Sequence, residues 1–80
     1  MKVSQLIKER RQSLNISQEK LAKMLGVGTG QFISNIERGL CPMPKRKLKR
    51  VCRCLLLDRK VMYAACLEEA AQSIQKSLGL

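Results

Sequence analysis

Apolar residues along this chain recur at steps of three and four and not of two, the spacing of one face of an α-helix, and no β-branched run suggests a strand. The pattern predicts helices throughout. A first helix spans about Val3 to Leu14, with Val3, Leu6, Ile7, Arg10 and Leu14 on one stripe and Asn15 closing it, because Asn tolerates the left-handed conformation. A second runs from Ser17 to Leu25. Ser17 serves as its N-cap, Glu19 lies in the first turn, Ile16 and Leu21 form a hydrophobic staple, and Leu21, Ala22 and Leu25 make the buried side. Gly26-Val27-Gly28 then reads as a tight turn, after which Thr29 caps a third helix that reaches about Arg38 and is stopped by Gly39.

Pro42 and Pro44 bracket the next boundary. Pro44 suits the first position of a fourth helix, which extends to about Leu56 and buries Leu48, Val51, Cys52 and Leu55. Asp58 caps a long fifth helix in which Val61, Ala64, Leu67, Ala71, Ile74 and Leu78 continue the three-and-four spacing until Gly79. That stripe needs cover, from the preceding helices or from a second copy of the chain. There is no internal repeat and no low-complexity linker.

Composition narrows the partners. The 80 residues carry 16 Lys and Arg against 6 Asp and Glu, a net charge of +10, on a chain whose hydrophobic fraction of 45% is that of a globular domain. A polyanion is therefore the expected partner, nucleic acid before an anionic membrane surface. The charge is uneven: residues 41–60 hold eight basic residues and one acidic, whereas residues 61–80 hold one basic and two acidic, which leaves the last helix outside an anion-binding surface. No run approaches the ~18 apolar residues of a membrane span, and no apolar signal core follows the basic N-terminus, so an intracellular chain is expected. Cys41, Cys52, Cys54 and Cys66 have no CxxC spacing and the chain has no His, so reduced thiols are expected and no metal site. The absence of His and of a paired acid cluster also argues against catalysis.

The second and third helices, joined by a Gly-containing turn, make a helix-turn-helix pattern. Leu21, Leu25, Ile33 and Ile36 attach the pair to the body, while Gln31, Ser34, Asn35 and Arg38 occupy the opposite side of the third helix. An Asn or Gln amide can bond the N6 and N7 edge of adenine in the major groove, so Gln31 and Asn35 are candidate base readers rather than plain solvated surface. Phe32 reads as the edge of the core in preference to a thymine-methyl contact.

The stretch Ile16-Ser17-Gln18-Glu19-Lys20-Leu21-Ala22, with Leu25-Gly26-Val27 and Phe32-Ile33-Ser34-Asn35-Ile36-Glu37-Arg38-Gly39, resembles the phage repressor and Cro-type (XRE-type) helix-turn-helix family across about residues 3–57. The resemblance implies a compact five-helix DNA-binding domain, dimeric on a two-fold symmetric operator. It implies base contacts by Gln31 and Asn35, with Ser34 beside them. It further implies that Gln18 contacts phosphate and braces the recognition helix, and that Arg11 and Glu37 form a partly buried ion pair. The loop after the third helix and the start of the fourth, here Arg38, Lys45, Arg46 and Lys47, would meet the phosphate backbone; Lys49, Arg50 and Arg53 are taken as solvated. The stretch from Gly26 to Ile33 is one residue longer than the common family pattern. Keeping Ile33 and Ile36 inside leaves either Thr29 or Gly30 at the head of the recognition helix, as further candidates for base contact.

Together these features predict an all-α, five-helix repressor-like domain. Residues 1–57 form its DNA-binding core and residues 58–80 a C-terminal helix that packs on the core and offers Leu67, Ala71, Ile74 and Leu78 for dimerisation. The function expected is a sequence-specific regulator of double-stranded DNA, a repressor acting in the cytoplasm at the nucleoid as a homodimer, with no catalysis, cofactor, metal, membrane or small-molecule ligand. The alternative is an antitoxin or anti-repressor that binds another protein through the C-terminal helix.

Overall fold

A computed structural model describes residues 1–80 and consists of helices and their connections: α1 Val3–Ser13, α2 Gln18–Leu25, α3 Gly30–Glu37, a single 3-10 turn Lys45–Lys47, α4 Leu48–Leu55 and α5 Arg59–Ser77. One apolar cluster joins them. Ile7 from α1, Leu21, Ala22 and Leu25 from α2, Ile33 and Ile36 from α3, Val51, Cys52 and Leu55 from α4, and Met62 and Ala65 from α5 are all buried in it.

Local signals set most boundaries where they were expected. Asn15 takes a positive φ of 56° just past α1. The Ser17 hydroxyl accepts the Lys20 N–H at 3.0 Å, and Gly26 closes α2 in the left-handed conformation at φ 66°. The Asp58 carboxylate accepts the Lys60 N–H at 2.8 Å at the head of α5.

Two expectations are corrected, and a third question left open by the sequence is answered. The inward row of α1 is Val3, Ile7 and Arg11, with Arg10 turned to its flank, where its Nε donates to the Leu55 carbonyl at 2.9 Å. A cation at the C-terminal carbonyls of α4 gains from the helix dipole, which the apolar spacing of α1 alone does not register. The fourth helix does not start at Pro44. Pro44 is extended (φ −56°, ψ 132°), Lys45–Lys47 form a 3-10 turn, and only then does α4 begin, with Leu48 half-buried. Three successive cations meet the positive end of a helix dipole there, and no side chain caps the exposed amides.

For the α5 stripe, cover by the preceding helices and cover by a second copy were both open, and the preceding helices do not supply it. The inward side of α5 is Met62 and Ala65, flanked by half-buried Cys66 and Glu69, while the predicted stripe faces out: Val61 is 49% exposed, Leu67 51%, Ile74 60% and Leu78 69%. Shifting the inward row by one residue turns a helix by about 100°. The acidic pair selects this rotation. Glu69 accepts the Val3 N–H at 2.6 Å and Glu68 lies 3.2 Å from the Met1 ammonium, so α5 caps the start of α1, which has no side-chain cap of its own. Beyond Glu69 the helix runs past the body and every residue is exposed.

Candidate nucleic-acid interface

The α2–α3 pair is assembled from residues with almost no exposure. Leu21, Ala22, Leu25 and Ile33 are fully buried and Ile36 is 2% exposed, so Ile33 and Ile36 do face inward and the longer turn is absorbed before α3. Gly26 makes the reversal with no Cβ penalty, and the Val27 N–H donates to the Ala22 carbonyl at 3.1 Å to finish α2. Phe32 is half-buried against the core, as its spacing to Ile36 predicts.

The helix begins at Gly30, with Thr29 at the N-cap position. Thr29 is exposed and its hydroxyl makes no cap hydrogen bond; the Glu19 carboxylate of α2 instead accepts the Gly30 N–H at 2.8 Å. Gly30 itself is turned toward α2. A Cβ there would stand 3.0 Å from the Glu19 backbone nitrogen, so this glycine serves the close approach of two helices.

With the apolar side fixed inward, α3 presents a polar row outward. Gln31 Nε2 donates to Asn35 Oδ1 at 3.0 Å, and Arg38 Nη2 donates to the same oxygen at 2.9 Å. The steps of four and three along the helix make these neighbours. Ser34 is half-buried beside them. Arg38, assigned from the sequence to this face and to the phosphate grip, is thus hydrogen-bonded to one of the candidate base readers.

Behind the row, α3 is anchored through Glu37. Arg11 Nε lies 2.6 Å from Glu37 Oε2 and Nη2 lies 3.0 Å from Oε1, while Arg11 Nη1 donates to the Ile16 carbonyl at 2.8 Å. Gln18 Nε2 also donates to Glu37 Oε1, at 3.1 Å. The expected ion pair is present, bidentate and almost dry, with the Glu37 side chain 2% exposed and that of Arg11 11%. Gln18 braces α3 through the same carboxylate.

The basic segment sits next to this unit. Lys47 Nζ lies 3.9 Å from the position a Cβ would take on Gly26, which puts an ammonium beside the turn between α2 and α3. Lys45 and Arg46 are exposed on the same 3-10 turn. Arg11 is the one Lys or Arg side chain in an ion pair, so Lys45, Arg46 and Lys47 have no internal counter-charge.

Elsewhere the chemistry is sparse. Burial pushes the thiols of Cys52 and Cys66 above their ordinary 9.0, which keeps them protonated and weak as nucleophiles. No three His, Cys, Asp or Glu side chains converge on a possible metal position. No helix is long and apolar enough to cross a membrane. A shallow groove of about 250 Å³ between α4 and α5 is lined by Lys49, Arg53, Arg59, Cys52 and Leu57.

Sequence reasoning missed Glu19, whose partner lies eleven residues away across the turn. Its first-turn position was legible; the contact depends on how α2 and α3 cross.

A protein-family model described as helix-turn-helix matches residues 7–52 of the chain. That span starts in α1, contains α2, α3 and the 3-10 turn, and ends within α4. No curated protein and no solved structure matches the chain.

Proposed function

The chain belongs to the XRE-type helix-turn-helix family of DNA-binding transcription regulators, and from that membership we propose that it is a sequence-specific repressor that occupies an operator as a homodimer. The observation that carries this reading is the outward row Gln31, Asn35 and Arg38 beside the unpaired cations Lys45, Arg46 and Lys47. Gln31 and Asn35, with Ser34 and Thr29 beside them, read base edges; Gln18, Arg38, Lys45, Arg46 and Lys47 hold phosphates. Asn35 Oδ1 has both lone pairs engaged in the free protein, by Gln31 and Arg38. A phosphate that draws Arg38 away frees one of them, and Asn35 can then accept from adenine N6 while donating to N7. Phosphate grip and base reading are coupled in this scheme. Residues 1–57 act as the DNA-binding core, and the work takes place in the cytoplasm, at the nucleoid.

Dimerisation falls to residues 58–80 in this reading. Leu67, Ala71, Ile74 and Leu78 follow alternating steps of four and three on the uncovered side of α5, the spacing of a two-helix seam, and exposed apolar stripes of this kind mark interfaces. The same stripe supports a second reading, an antitoxin or anti-repressor whose partner is a different protein. Sedimentation of the wild type and of Leu67→Lys/Ile74→Lys separates the two. A dimer lost in the variant favours the repressor, and a wild-type monomer favours the other reading.

The test of the DNA reading is selection from a random duplex pool followed by mobility shifts. Gln31→Ala and Asn35→Ala should relax discrimination, while Lys45→Ala should weaken selected and shuffled duplexes alike. Paired half-sites spaced by about one helical turn are expected from a dimer. Binding that ignores sequence overturns the proposal.

A further inference from the structure

We propose that Glu19 is the positioning residue of the recognition helix: its carboxylate caps α3 from outside and seats the end that carries Gln31. The inference rests on the DNA-binding reading above. Three observations meet at this point. Thr29 holds the N-cap backbone conformation (φ −119°, ψ 170°) yet its hydroxyl caps nothing. Glu19 Oε2 accepts the Gly30 N–H at 2.8 Å and is in no ion pair. A Cβ on Gly30 would lie 2.9 Å from Glu19 Oε2, 3.0 Å from its backbone nitrogen and 3.2 Å from its Cα, a crowding that rotation of the Glu19 side chain cannot relieve.

The chemistry is that of a cap supplied by a neighbouring helix. The first amides of a helix lack partners inside it, and the helix dipole favours a negative group beside them. Ile33 and Ile36 fix the rotation of α3 by burial, but they lie one and two turns from its start. Glu19 fixes the start itself, because the hydrogen bond and the missing Cβ allow only Gly30 to sit there. Gln31 is the next residue, so its reach into a groove is set by this seat. A cost accompanies the arrangement: Glu19 is an exposed anion on the α2–α3 unit, and it repels the phosphates that the neighbouring cations attract.

Cap and charge separate in two variants. Glu19→Gln removes the charge and retains an acceptor for the Gly30 N–H; Glu19→Ala removes both. Amide exchange measured by NMR on the full chain should quicken about tenfold or more at Gly30 in Glu19→Ala while the Ile36 amide is unchanged, with Glu19→Gln close to wild type. On a duplex selected by the wild type from a random pool, and on a shuffled duplex of the same composition, both variants should bind more tightly overall. The ratio between the two duplexes should fall about fivefold in Glu19→Ala and persist in Glu19→Gln. A Gly30 amide indifferent to Glu19→Ala overturns the cap, and an equal loss of ratio in the two variants overturns the positioning role in favour of charge alone. A wild-type protein that binds both duplexes equally overturns the DNA reading, a distinct failure, since the Gly30 amide still answers to Glu19.

Discussion

Removing the carboxylate of Glu37 should cost this protein a large part of its stability. In Glu37→Ala, Arg11 keeps only the Ile16 carbonyl, at 2.8 Å, and loses both carboxylate contacts, at 2.6 and 3.0 Å, in a site where its side chain is 11% exposed. Gln18 loses its acceptor as well. A buried charge deprived of its partner costs about 3–5 kcal/mol. Against a total of about 4–12 kcal/mol for a chain of 80 residues, that is a large share. At roughly 4–8 °C per kcal/mol for this size, Tm should drop by at least about 12 °C. Replacing both ends behaves differently, because two Met side chains fill similar space and leave no unpaired charge. Arg11→Met/Glu37→Met should recover most of the loss, although α1 and α3 are then held by packing alone. The assay is a double-mutant cycle by urea unfolding, followed by circular dichroism with the slope checked for constancy. Single variants that cost less than about 1 kcal/mol, or a double variant no better than the sum of the singles, would refute the argument.

Leu56→Gly should stabilise the fold by about 1 kcal/mol, visible as a raised urea midpoint, because Leu56 sits exposed at φ 55°, where a side chain is strained and glycine is not. Ile33→Ala should cost about 2–5 kcal/mol in the same assay by opening a cavity under α3, whereas Asn35→Ala should leave the midpoint within about 0.5 kcal/mol. The salt dependence of DNA affinity, read from mobility shifts at several concentrations, should lose about one unit of slope in Lys45→Ala. Because burial holds the Cys52 and Cys66 thiols above 9.0, the folded state favours their protonated form. Their contribution to stability should be complete below pH 9 and decline as pH rises past it. The fall in urea midpoint above pH 9 should be smaller in Cys66→Ala.

The local signals in this sequence were strong wherever a single side chain acts on nearby backbone. Ser17, Gly26, Asn15 and Asp58 mark helix ends by hydrogen bonds or left-handed conformations that involve residues only a few positions away. The inward set of α2 and α3 was legible for the same reason: Leu21, Leu25, Ile33 and Ile36 can share a buried side only at helical spacing. Arg11 and Glu37 were legible through the family resemblance, since nothing in their separation of 26 positions indicates contact.

These three features all lie at helix ends. Arg10 turned to the carbonyl end of α4 and α5 rotated by one residue are decisions about helix ends meeting other helices, and Lys45–Lys47 held as a 3-10 turn follows from cations at an uncapped helix start. Hydrophobic spacing records which residues are apolar and says nothing of which helix end needs a carboxylate. Glu68 and Glu69 look like ordinary solvent charges in the sequence; folded, they satisfy the start of α1 and thereby turn the apolar stripe of α5 outward.

The sequence by itself therefore determined that the chain folds as helices, the inward residues of α2 and α3, the helix-turn-helix unit and the concentration of positive charge just after it, because each follows from periodicity, capping or composition along the chain. Only the tertiary structure decided that Glu19 caps α3, that Gly30 is a packing glycine, and that Leu67 and Ile74 stand uncovered. Those three facts depend on how helix ends and faces approach across distances that no short-range signal spans.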